Sequence, residues 1–340
     1  MKSSGRIGDS PIVTLDDIKQ AQSRLRGVTV HTPLVQSHIH KLDGVQDPRR
    51  FYLKTENLQP IGAFKLRGAY NKIVSLSDEE GRRGVITYSS GNHAQGVAYA
   101  ARALGVKAVV VMPRNAPENK RQATASMGAE IVLVGPGSDE RKAKAEELAA
   151  QHGYVIVPPY NDEQIIAGQG TIGLEILEDL PEVETVMVPV GGGGMISGVA
   201  TAIKLSQPAV KVIGAEPELA ADAQASLRSG KIVQFPAEQV SRTAADGLRT
   251  QSIGEINFEH IRRYVDDIVT VSEEEICEAM RRLAADPKTT AEPSGAVPVA
   301  AFLFHRQQLP ETRINVAVIS GGNIEPEKLA ALTAEAHQNS

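Results

Sequence analysis

Apolar residues follow two alternating spacings along most of the chain. Short runs rich in valine and isoleucine are typical of buried strands, and longer stretches with apolar residues three and four positions apart are typical of helices. The strand pattern occurs at 51–56, 84–90, 107–113, 130–135, 154–159, 185–190, 211–217 and 314–320. The helical pattern occurs at 14–27, 92–105, 117–129, 139–153, 170–180, 196–205 and 272–286, and another helix starts near Phe64. This alternation predicts an α/β fold, an open parallel sheet with helices on both faces.

Composition narrows the classes of function. The 340 residues are 41% hydrophobic, which is enough for genuine cores, and the net charge is −5 without a basic block. Nucleic acid is therefore not an expected partner. The first twenty residues lack the features of a signal peptide, and no apolar run approaches the roughly 20 residues of a membrane span. We expect a cytoplasmic protein, and its single cysteine, Cys277, excludes an internal disulfide.

Four consecutive glycines, Gly191 to Gly194, join a predicted strand to a predicted helix. Glycines allow a tight turn that exposes successive N–H groups at a helix N-terminus, where an anion is favoured. A phosphate is the expected ligand of this loop. The loop does not satisfy the G-x-G-x-x-G pattern of dinucleotide sites. A flexible turn without a ligand is the alternative interpretation.

A second loop carries Ser89, Ser90, Asn92 and His93 around Gly91, again between a strand and a helix. Hydroxyl, amide and backbone donors at a helix N-terminus suit a carboxylate. A simple N-cap cluster is the alternative interpretation.

Lys65 lies between Phe64 and Leu66 in the first turn of a predicted helix. A cation there opposes the helix dipole, and desolvation would lower its pKa. Such an amine can bind an aldehyde as a Schiff base. The alternative is a side chain that extends to solvent.

A phosphate loop, an aldehyde-binding lysine and a carboxylate loop together suit pyridoxal phosphate carrying an amino acid. From about Leu15 to the SGGN motif at 320–323, the chain resembles the serine/threonine dehydratase and serine racemase family of fold-type II pyridoxal phosphate enzymes. The resemblance implies a tryptophan synthase β-like fold with two open, twisted, mostly parallel sheets. It further implies a large domain at 1–83 and 161–340, a small domain at 84–160, and a homodimer.

The same resemblance implies roles for individual residues. Lys65 would form the Schiff base and act as a catalytic base, and Ser90 would be a second catalytic group. The residues implied to bind the cofactor are Phe64, Lys65, Asn92, Gly191, Gly192, Gly193, Gly194, Met195, Glu292 and Ser320. The residues implied to surround the substrate carboxylate are Ser89, Ser90, Asn92 and His93.

The implied activity is an ammonia-lyase, or dehydratase. It would convert L-threonine or L-serine to a 2-keto acid and ammonia by α-proton abstraction and β-elimination. Two alternatives stay open within the family: 3-hydroxyaspartate as substrate, or racemisation of serine or aspartate with Lys65 and Ser90 on opposite faces. Ile61, Ala63 and Tyr160 depart from common family patterns, so a narrow threonine label is unsafe.

The resemblance also suggests a divalent cation, Mg²⁺, Mn²⁺ or Ca²⁺, held by Glu216, the carbonyl of Ala220 and Asp222, since such ions prefer oxygen ligands. Asp246 and Gly247 are expected to border the active site or this cation. Two interpretations outside the family remain, a non-catalytic phosphate-binding module and a nucleotide-dependent oxidoreductase.

Overall fold

The fold is built from twelve strands and fourteen α-helices within the residues that the structure describes. The computed structural model describes residues 5–7, 10–41, 47–89, 91–116, 118–135 and 137–334. The strands are β1 (Gly5–Ile7), β2 (Ser10–Ile12), β3 (Leu34–Ser37), β4 (Arg50–Thr55), β5 (Val85–Tyr88), β6 (Ala108–Pro113), β7 (Glu130–Val134), β8 (Val155–Ile156), β9 (Thr185–Pro189), β10 (Lys211–Pro217), β11 (Asp267–Val271) and β12 (Ile314–Ile319).

The helices cover the faces of the sheets. They are α1 (Leu15–Leu25), α2 (Lys65–Val74), α3 (Asp78–Arg83), α4 (Asn92–Leu104), α5 (Glu118–Ser126), α6 (Ser138–His152), α7 (Glu163–Asp179), α8 (Gly194–Ser206), α9 (Asp222–Ser229), α10 (Ala237–Val240), α11 (Glu255–Tyr264), α12 (Glu273–Leu283), α13 (Pro293–Phe304) and α14 (Pro326–Ala334). Thr14 and Asp17 form a capping box at the start of α1. Among all the described residues, no helix combines the length and the apolar character that a membrane span requires.

Two mostly parallel sheets confirm the predicted fold class. The larger has six strands in the order β11-β10-β9-β12-β4-β3, and only the edge strand β3 is antiparallel to its neighbour. The smaller has four parallel strands in the order β7-β6-β5-β8. Its strands all lie inside the segment 84–160 that was predicted to form a small domain. The division into two domains itself stays a prediction.

Alternation along β12 explains why helices cover both faces of the larger sheet. Val316 and Val318 belong to a core shared with α7 and α8, whereas Ala317 and Ile319 belong to a second core shared with α12 and α13. Successive side chains of a strand point to opposite faces, so a continuous apolar run requires cover on both.

Glycines in α7 bring α2 close to that helix. A Cβ atom at Gly168 would lie 2.6 Å from the carbonyl oxygen of Arg67, so only glycine permits this approach. Because α2 begins at Lys65, the contact fixes the position of the candidate Schiff-base lysine relative to the larger sheet.

Candidate active site

The candidate site lies where the loops that follow β4, β5, β9 and β12 meet. The carboxyl ends of parallel strands share one edge of a sheet, and ligands bind there in open α/β folds. Three of these strands are neighbours in the larger sheet, and β5 belongs to the smaller one. Side chains from both sheets therefore contribute to one site.

The loop that precedes Lys65 is hydrogen-bonded to the end of β12. The N–H of Phe64 donates to the carbonyl of Ser320 at 3.0 Å, and the N–H of Gly322 donates to the carbonyl of Gly62 at 3.0 Å. Gly62 has a φ of 71°, which only glycine adopts without strain. Two motifs about 250 residues apart in sequence, GAFK and SGGN, are thereby joined, and Ser320 is buried beside the first turn of α2.

Lys65 is the first residue of α2, and its amine is half-buried. Its Nζ donates to the carbonyl of Pro159 at 2.8 Å and lies 5.1 Å from the centroid of the Phe64 ring. Burial lowers the pKa of Lys65 from 10.5 to about 8, and no carboxylate of the described residues counteracts this shift. The neutral, nucleophilic amine is therefore accessible near physiological pH, as expected from the sequence.

The four-glycine loop connects β9 to α8. Gly193 is the N-cap of α8 with a φ of 92°, and the first N–H groups of this thirteen-residue helix have no partner within the helix. Gly192 lies directly against the ring of Tyr160, and a Cβ atom at Gly194 would lie 3.0 Å from the Tyr160 Cα. The loop is thus a donor-rich turn with its backbone closely packed, as an anion cradle requires.

The two ends of this loop are also enclosed by protein. A Cβ atom at Gly191 would lie 3.2 Å from the Cα of Leu248, and Met195 is buried at the start of α8. The cradle is therefore held in one shape by its surroundings.

The loop that follows β5 is described except at one position. The hydroxyl of Ser89 accepts a hydrogen bond from the N–H of Gly91 at 3.3 Å. Ser90, predicted to be a catalytic and carboxylate-binding residue, lies outside the described residues.

His93 points into the protein. Its Nε2–H donates to the carbonyl of Val157 at 3.0 Å, and Nδ1 has no hydrogen-bond partner among the described residues. Burial, with a smaller contribution from the nearby Lys65 charge, lowers the pKa of His93 to about 3. The imidazole is therefore neutral, and an anion at this loop would meet the backbone N–H of His93 at the start of α4 and not a charged ring.

Asn92 is held by two other side chains. Its Nδ2 donates to Glu292 at 2.7 Å, and its Oδ1 accepts from the Nδ2 of Asn323 at 2.8 Å. Burial, and secondarily the charge of Asp246, raises the pKa of Glu292 to about 7. This network links α4 to the ends of β12 and to α13, so the amide of Asn92 has a fixed orientation.

Gly247 lies against the glycine loop, and Asp246 precedes it in the same turn. Asp246 pairs with Lys120 of α5 at 2.8 Å, and the N–H of Gly247 donates to Ser294 at 2.9 Å. The carbonyl of Gly247 lies 3.3 Å from where a Cβ atom at Gly191 would be. The contacts therefore join this turn to α5 and α13.

Glu216 and Asp222 form a buried acidic pair near the end of β10. Glu216 accepts hydrogen bonds from the N–H groups of Ala223 at 3.1 Å and Gln224 at 2.8 Å, whereas Oδ2 of Asp222 has no partner among the described residues. Burial and the Asp222 charge raise the pKa of Glu216, and burial raises that of Asp222 to about 7.

In the part of the chain that the structure describes, no cationic side chain is among the groups that shift the pKa values of Glu216 and Asp222. Ala220, the third predicted ligand, is buried in the turn between the two carboxylates. Over the described parts of the chain, no group of three or more His, Cys, Asp or Glu side chains is arranged to hold a metal. A cation here would thus depend on backbone oxygen in addition to the two carboxylates, which suits hard ions.

The sequence did not indicate that Pro159 and Arg67 lie close to the site. Pro159 acts through its carbonyl, for which side-chain patterns give no signal. Arg67 is buried two residues after Lys65 and donates to Glu56, Glu175, Thr171 and the carbonyl of Val30. A charged residue on the buried face of a helix was the available signal, because such a residue requires partners.

Comparison with known proteins decides the family. A family model described as "Pyridoxal-phosphate dependent enzyme" matches residues 26–321. The chain belongs to this family. An L-threonine ammonia-lyase of Thermotoga maritima is 48% identical over 315 residues, which cover 92% of this chain and 76% of that protein. An L-threo-3-hydroxyaspartate ammonia-lyase of Saccharomyces cerevisiae is 40% identical over 322 residues, covering 94% and 96%.

Solved structures of pyridoxal-phosphate dependent enzymes share the fold. A serine racemase from Dictyostelium discoideum has a TM-score of 0.85 at 38% identity, with 92% of this chain and 99% of that chain covered. The predicted fold-type II architecture is thus confirmed, and pyridoxal phosphate is the cofactor of the family.

Proposed function

We propose that this protein is a pyridoxal-phosphate dependent ammonia-lyase. Its first candidate substrates are L-threonine and L-serine, which it would convert to a 2-keto acid and ammonia. The observation that carries the proposal is the Lys65 amine, half-buried without a carboxylate and with a pKa of about 8, near a four-glycine helix N-terminus. The name of the Thermotoga maritima relative supports the reaction type.

The residues present fit the cofactor. When bound, pyridoxal phosphate supplies an aldehyde for an amine and a conjugated ring that withdraws electrons from the α-carbon. The residues proposed to hold it are Phe64, Lys65, Asn92, Gly191, Gly192, Gly193, Gly194, Met195, Glu292 and Ser320.

Lys65 is proposed to move the α-proton. An amine with a pKa of about 8 is partly neutral at pH 7 and can accept a proton, whereas an ordinary lysine with a pKa of 10.5 is almost fully protonated. The ammonium that results is stabilised by the Pro159 carbonyl within hydrogen-bond reach. The same group can therefore return or deliver the proton.

Ser320 is proposed to favour elimination. It presents a hydroxyl at the buried end of β12. A carboxylate at this position would keep a basic group that it contacts protonated, and a hydroxyl does not. Negative charge is then less well stored at the α-carbon, and prompt loss of a β-hydroxyl group is favoured. The elimination releases one water and hydrolysis of the resulting imine consumes one, so the net products are the 2-keto acid and ammonia.

The substrate carboxylate is proposed to bind at the loop before α4. Ser89 supplies a hydroxyl, and the backbone at Asn92 and His93 supplies donors at the N-terminus of a thirteen-residue helix. Ser90 belongs to this proposed set from the sequence alone.

We further propose that Glu216, the Ala220 carbonyl and Asp222 hold a divalent cation of the Mg²⁺, Mn²⁺ or Ca²⁺ class. The buried Asp222 oxygen without a partner supports this site. The cytoplasmic location, the homodimer and the domain boundaries at 84 and 160 stay predictions.

Two alternative activities keep specific support. The Saccharomyces cerevisiae relative is named for L-threo-3-hydroxyaspartate, and the solved racemase structure is similar over nearly its whole length. Racemisation would need Ser90 as a second base opposite Lys65. Chiral analysis of the amino acid pool separates the two outcomes, and Ser90→Ala should reduce inversion more than elimination if Ser90 has this role.

One experiment tests the main proposal. Purified protein is incubated with pyridoxal phosphate, reduced with borohydride and mapped by peptide mass spectrometry, and 2-keto acid is measured with L-threonine, L-serine and L-threo-3-hydroxyaspartate. We expect the adduct at Lys65, and its retention in Lys19→Ala, which alters an exposed lysine of α1. Lack of both adduct and keto acid would refute the proposal. Unchanged ligand affinity in Lys65→Ala would favour a non-catalytic phosphate-binding module.

A further inference from the structure

The segment that follows β8 lies between Lys65 and the glycine loop. Pro159 accepts the hydrogen bond from the Lys65 amine at 2.8 Å, and the carbonyl of Tyr160 accepts from Asn257 of α11 at 3.4 Å. Asp162 caps α7 and pairs with Lys72 of α2 at 2.6 Å. The backbone of this segment is thus fixed to the helices that surround the site.

Tyr160 packs on the glycine loop with its ring. The three atoms nearest to a Cβ built on Gly192 are ring atoms of Tyr160, Cγ, Cδ1 and Cε1, and all of them would overlap with it. At Gly194 the nearest atoms are instead the Cα and Cβ of Tyr160, both at 3.0 Å. The ring therefore occupies the space that any side chain at position 192 would need.

The backbone conformation does not by itself require glycine at 192. Of the four glycines, only Gly193 has a positive φ, at 92°. An alanine at 192 would accordingly meet a steric conflict with a side chain and no left-handed backbone strain. An experiment can therefore distinguish a steric requirement for glycine at position 192 from a conformational one.

We propose that Tyr160 is a positioning residue for the phosphate loop. Its ring packs on Gly192 and holds the backbone N–H groups in the shape that binds a phosphate, and Gly192 is glycine because it must admit this ring. The inference rests on the proposed function, since the anion it concerns is the phosphate of pyridoxal phosphate.

The test is a double-mutant cycle of Gly192→Ala and Tyr160→Ala in the full-length protein. The first measurement is the thermal midpoint of the cofactor-free protein. The second is the Kd for pyridoxine 5′-phosphate, which carries the phosphate but no aldehyde and so does not require Lys65. We expect Gly192→Ala alone to lower the midpoint by several degrees and to weaken binding about tenfold or more. In the Tyr160→Ala background, adding Gly192→Ala should leave the thermal midpoint nearly unchanged and should change the Kd by no more than about twofold.

Two control cycles identify the ring as the cause. Tyr160→Phe keeps the ring, so it should not relieve Gly192→Ala. Tyr160→Ala keeps Cα and Cβ, so it should not relieve Gly194→Ala, whose nearest contacts are those two atoms.

The inference is overturned if Gly192→Ala weakens binding equally in both backgrounds, because the glycine would then serve the ligand directly. Should Gly192→Ala fail to fold, recovery of folded protein on adding Tyr160→Ala supports the inference, and no recovery refutes it. Failure of the proposed function is distinguishable: the unaltered protein would not bind pyridoxine 5′-phosphate, while the thermal midpoints would still report the steric coupling.

Discussion

Two cations in the first turn of α2 have opposite surroundings. Arg67 is fully buried and forms two-oxygen contacts with both Glu56 and Glu175 at 2.6–2.8 Å, which raise its pKa further. Lys65 is two residues away, meets a carbonyl and no carboxylate, and has its pKa lowered to about 8.

The difference shows that burial alone does not determine the charge of a side chain. Burial lowers the pKa of both cations, and in Arg67 two carboxylates reverse the effect. Lys54, also fully buried, pairs with Glu175 at 2.7 Å, so the cluster of Lys54, Glu56, Arg67 and Glu175 contains two charges of each sign. The cluster is suited to fix the orientation of α2, and Lys65 is left free to react.

The largest expected effect comes from Lys65→Met. We expect keto acid formation to fall by at least about 10³-fold, because both the covalent amine and the base are lost. The cofactor-free protein should be as stable at pH 7 as the unaltered chain, or up to about 3 kcal/mol more stable, because a half-buried cation without a carboxylate partner is removed. Keto acid assays and urea unfolding measure the two quantities.

A pH series sharpens the stability part of this prediction. The folded-state pKa of Lys65 is about 8 and its ordinary value is 10.5, so the unaltered protein should gain stability as pH rises between these values. Lys65→Met should lack this gain. Destabilisation by Lys65→Met as large as that caused by changing Arg67 would break the comparison.

Arg67→Met is the second prediction. It leaves the Glu56 and Glu175 carboxylates buried with too few partners, so we expect a loss of about 3–5 kcal/mol of unfolding free energy. The loss of unfolding free energy for Arg67→Lys should lie between zero and the loss for Arg67→Met, because an ammonium cannot reproduce the paired contacts of a guanidinium. Urea unfolding of the cofactor-free protein measures both.

A surface ion pair is the matched control for Arg67. Arg83 pairs with Glu79 at 2.9 Å on the exposed helix α3, and Arg83→Ala should cost less than about 1 kcal/mol. Equal losses at Arg83 and Arg67 would contradict the role assigned to burial.

The third prediction concerns the reactivity of Lys65 with pH. With a pKa of about 8, the rate of covalent pyridoxal phosphate attachment to the cofactor-free protein should rise about fiftyfold from pH 6 to pH 8 and then level off. Nα-acetyl-lysine under the same conditions corrects for ionisation of the reagent. A rate that still rises about eightfold from pH 9 to pH 10 would indicate an ordinary lysine with a pKa near 10.5.

The smallest expected effect concerns the acidic pair. Mg²⁺ or Mn²⁺ at about 100 times its Kd should stabilise the protein by about 2.7 kcal/mol relative to chelator, and Asp222→Asn should abolish most of this. Glu218→Gln, in the exposed turn beside the pair, should keep it. A cation effect that survives Asp222→Asn would place the ion elsewhere.

Strands with strong apolar runs were predicted well. All eight predicted strands are present, and three short elements outside these runs, β1, β2 and β3, were not predicted. β11 was also missed. It has the same length as β7, which was predicted, and like β7 it begins with an acidic residue.

Six of the fourteen helices in the described residues were not predicted: α3, α9, α10, α11, α13 and α14. They include the exposed helix α3 as well as buried ones. α7 begins at Glu163, seven residues before the predicted start at 170, and this part of the helix contains Gly168 and ends next to Gly170. In the fold these glycines allow close contact, since a Cβ at Gly170 would lie 3.0 Å from the Gly198 carbonyl of α8. α13 contains Pro298 and is buried on all sides.

The sequence alone sufficed for the fold class, the positions along the chain of the strands with strong apolar runs, and the loops that carry Lys65, Asn92, the four glycines and Ser320. These depend on local periodicity and on the chemistry of single residue types. Tertiary structure decided which charges are paired, which way His93 points and why Gly192 meets Tyr160. Such properties depend on groups that are distant in sequence and only folding brings within a few ångströms, where desolvation and Coulomb interactions set each pKa.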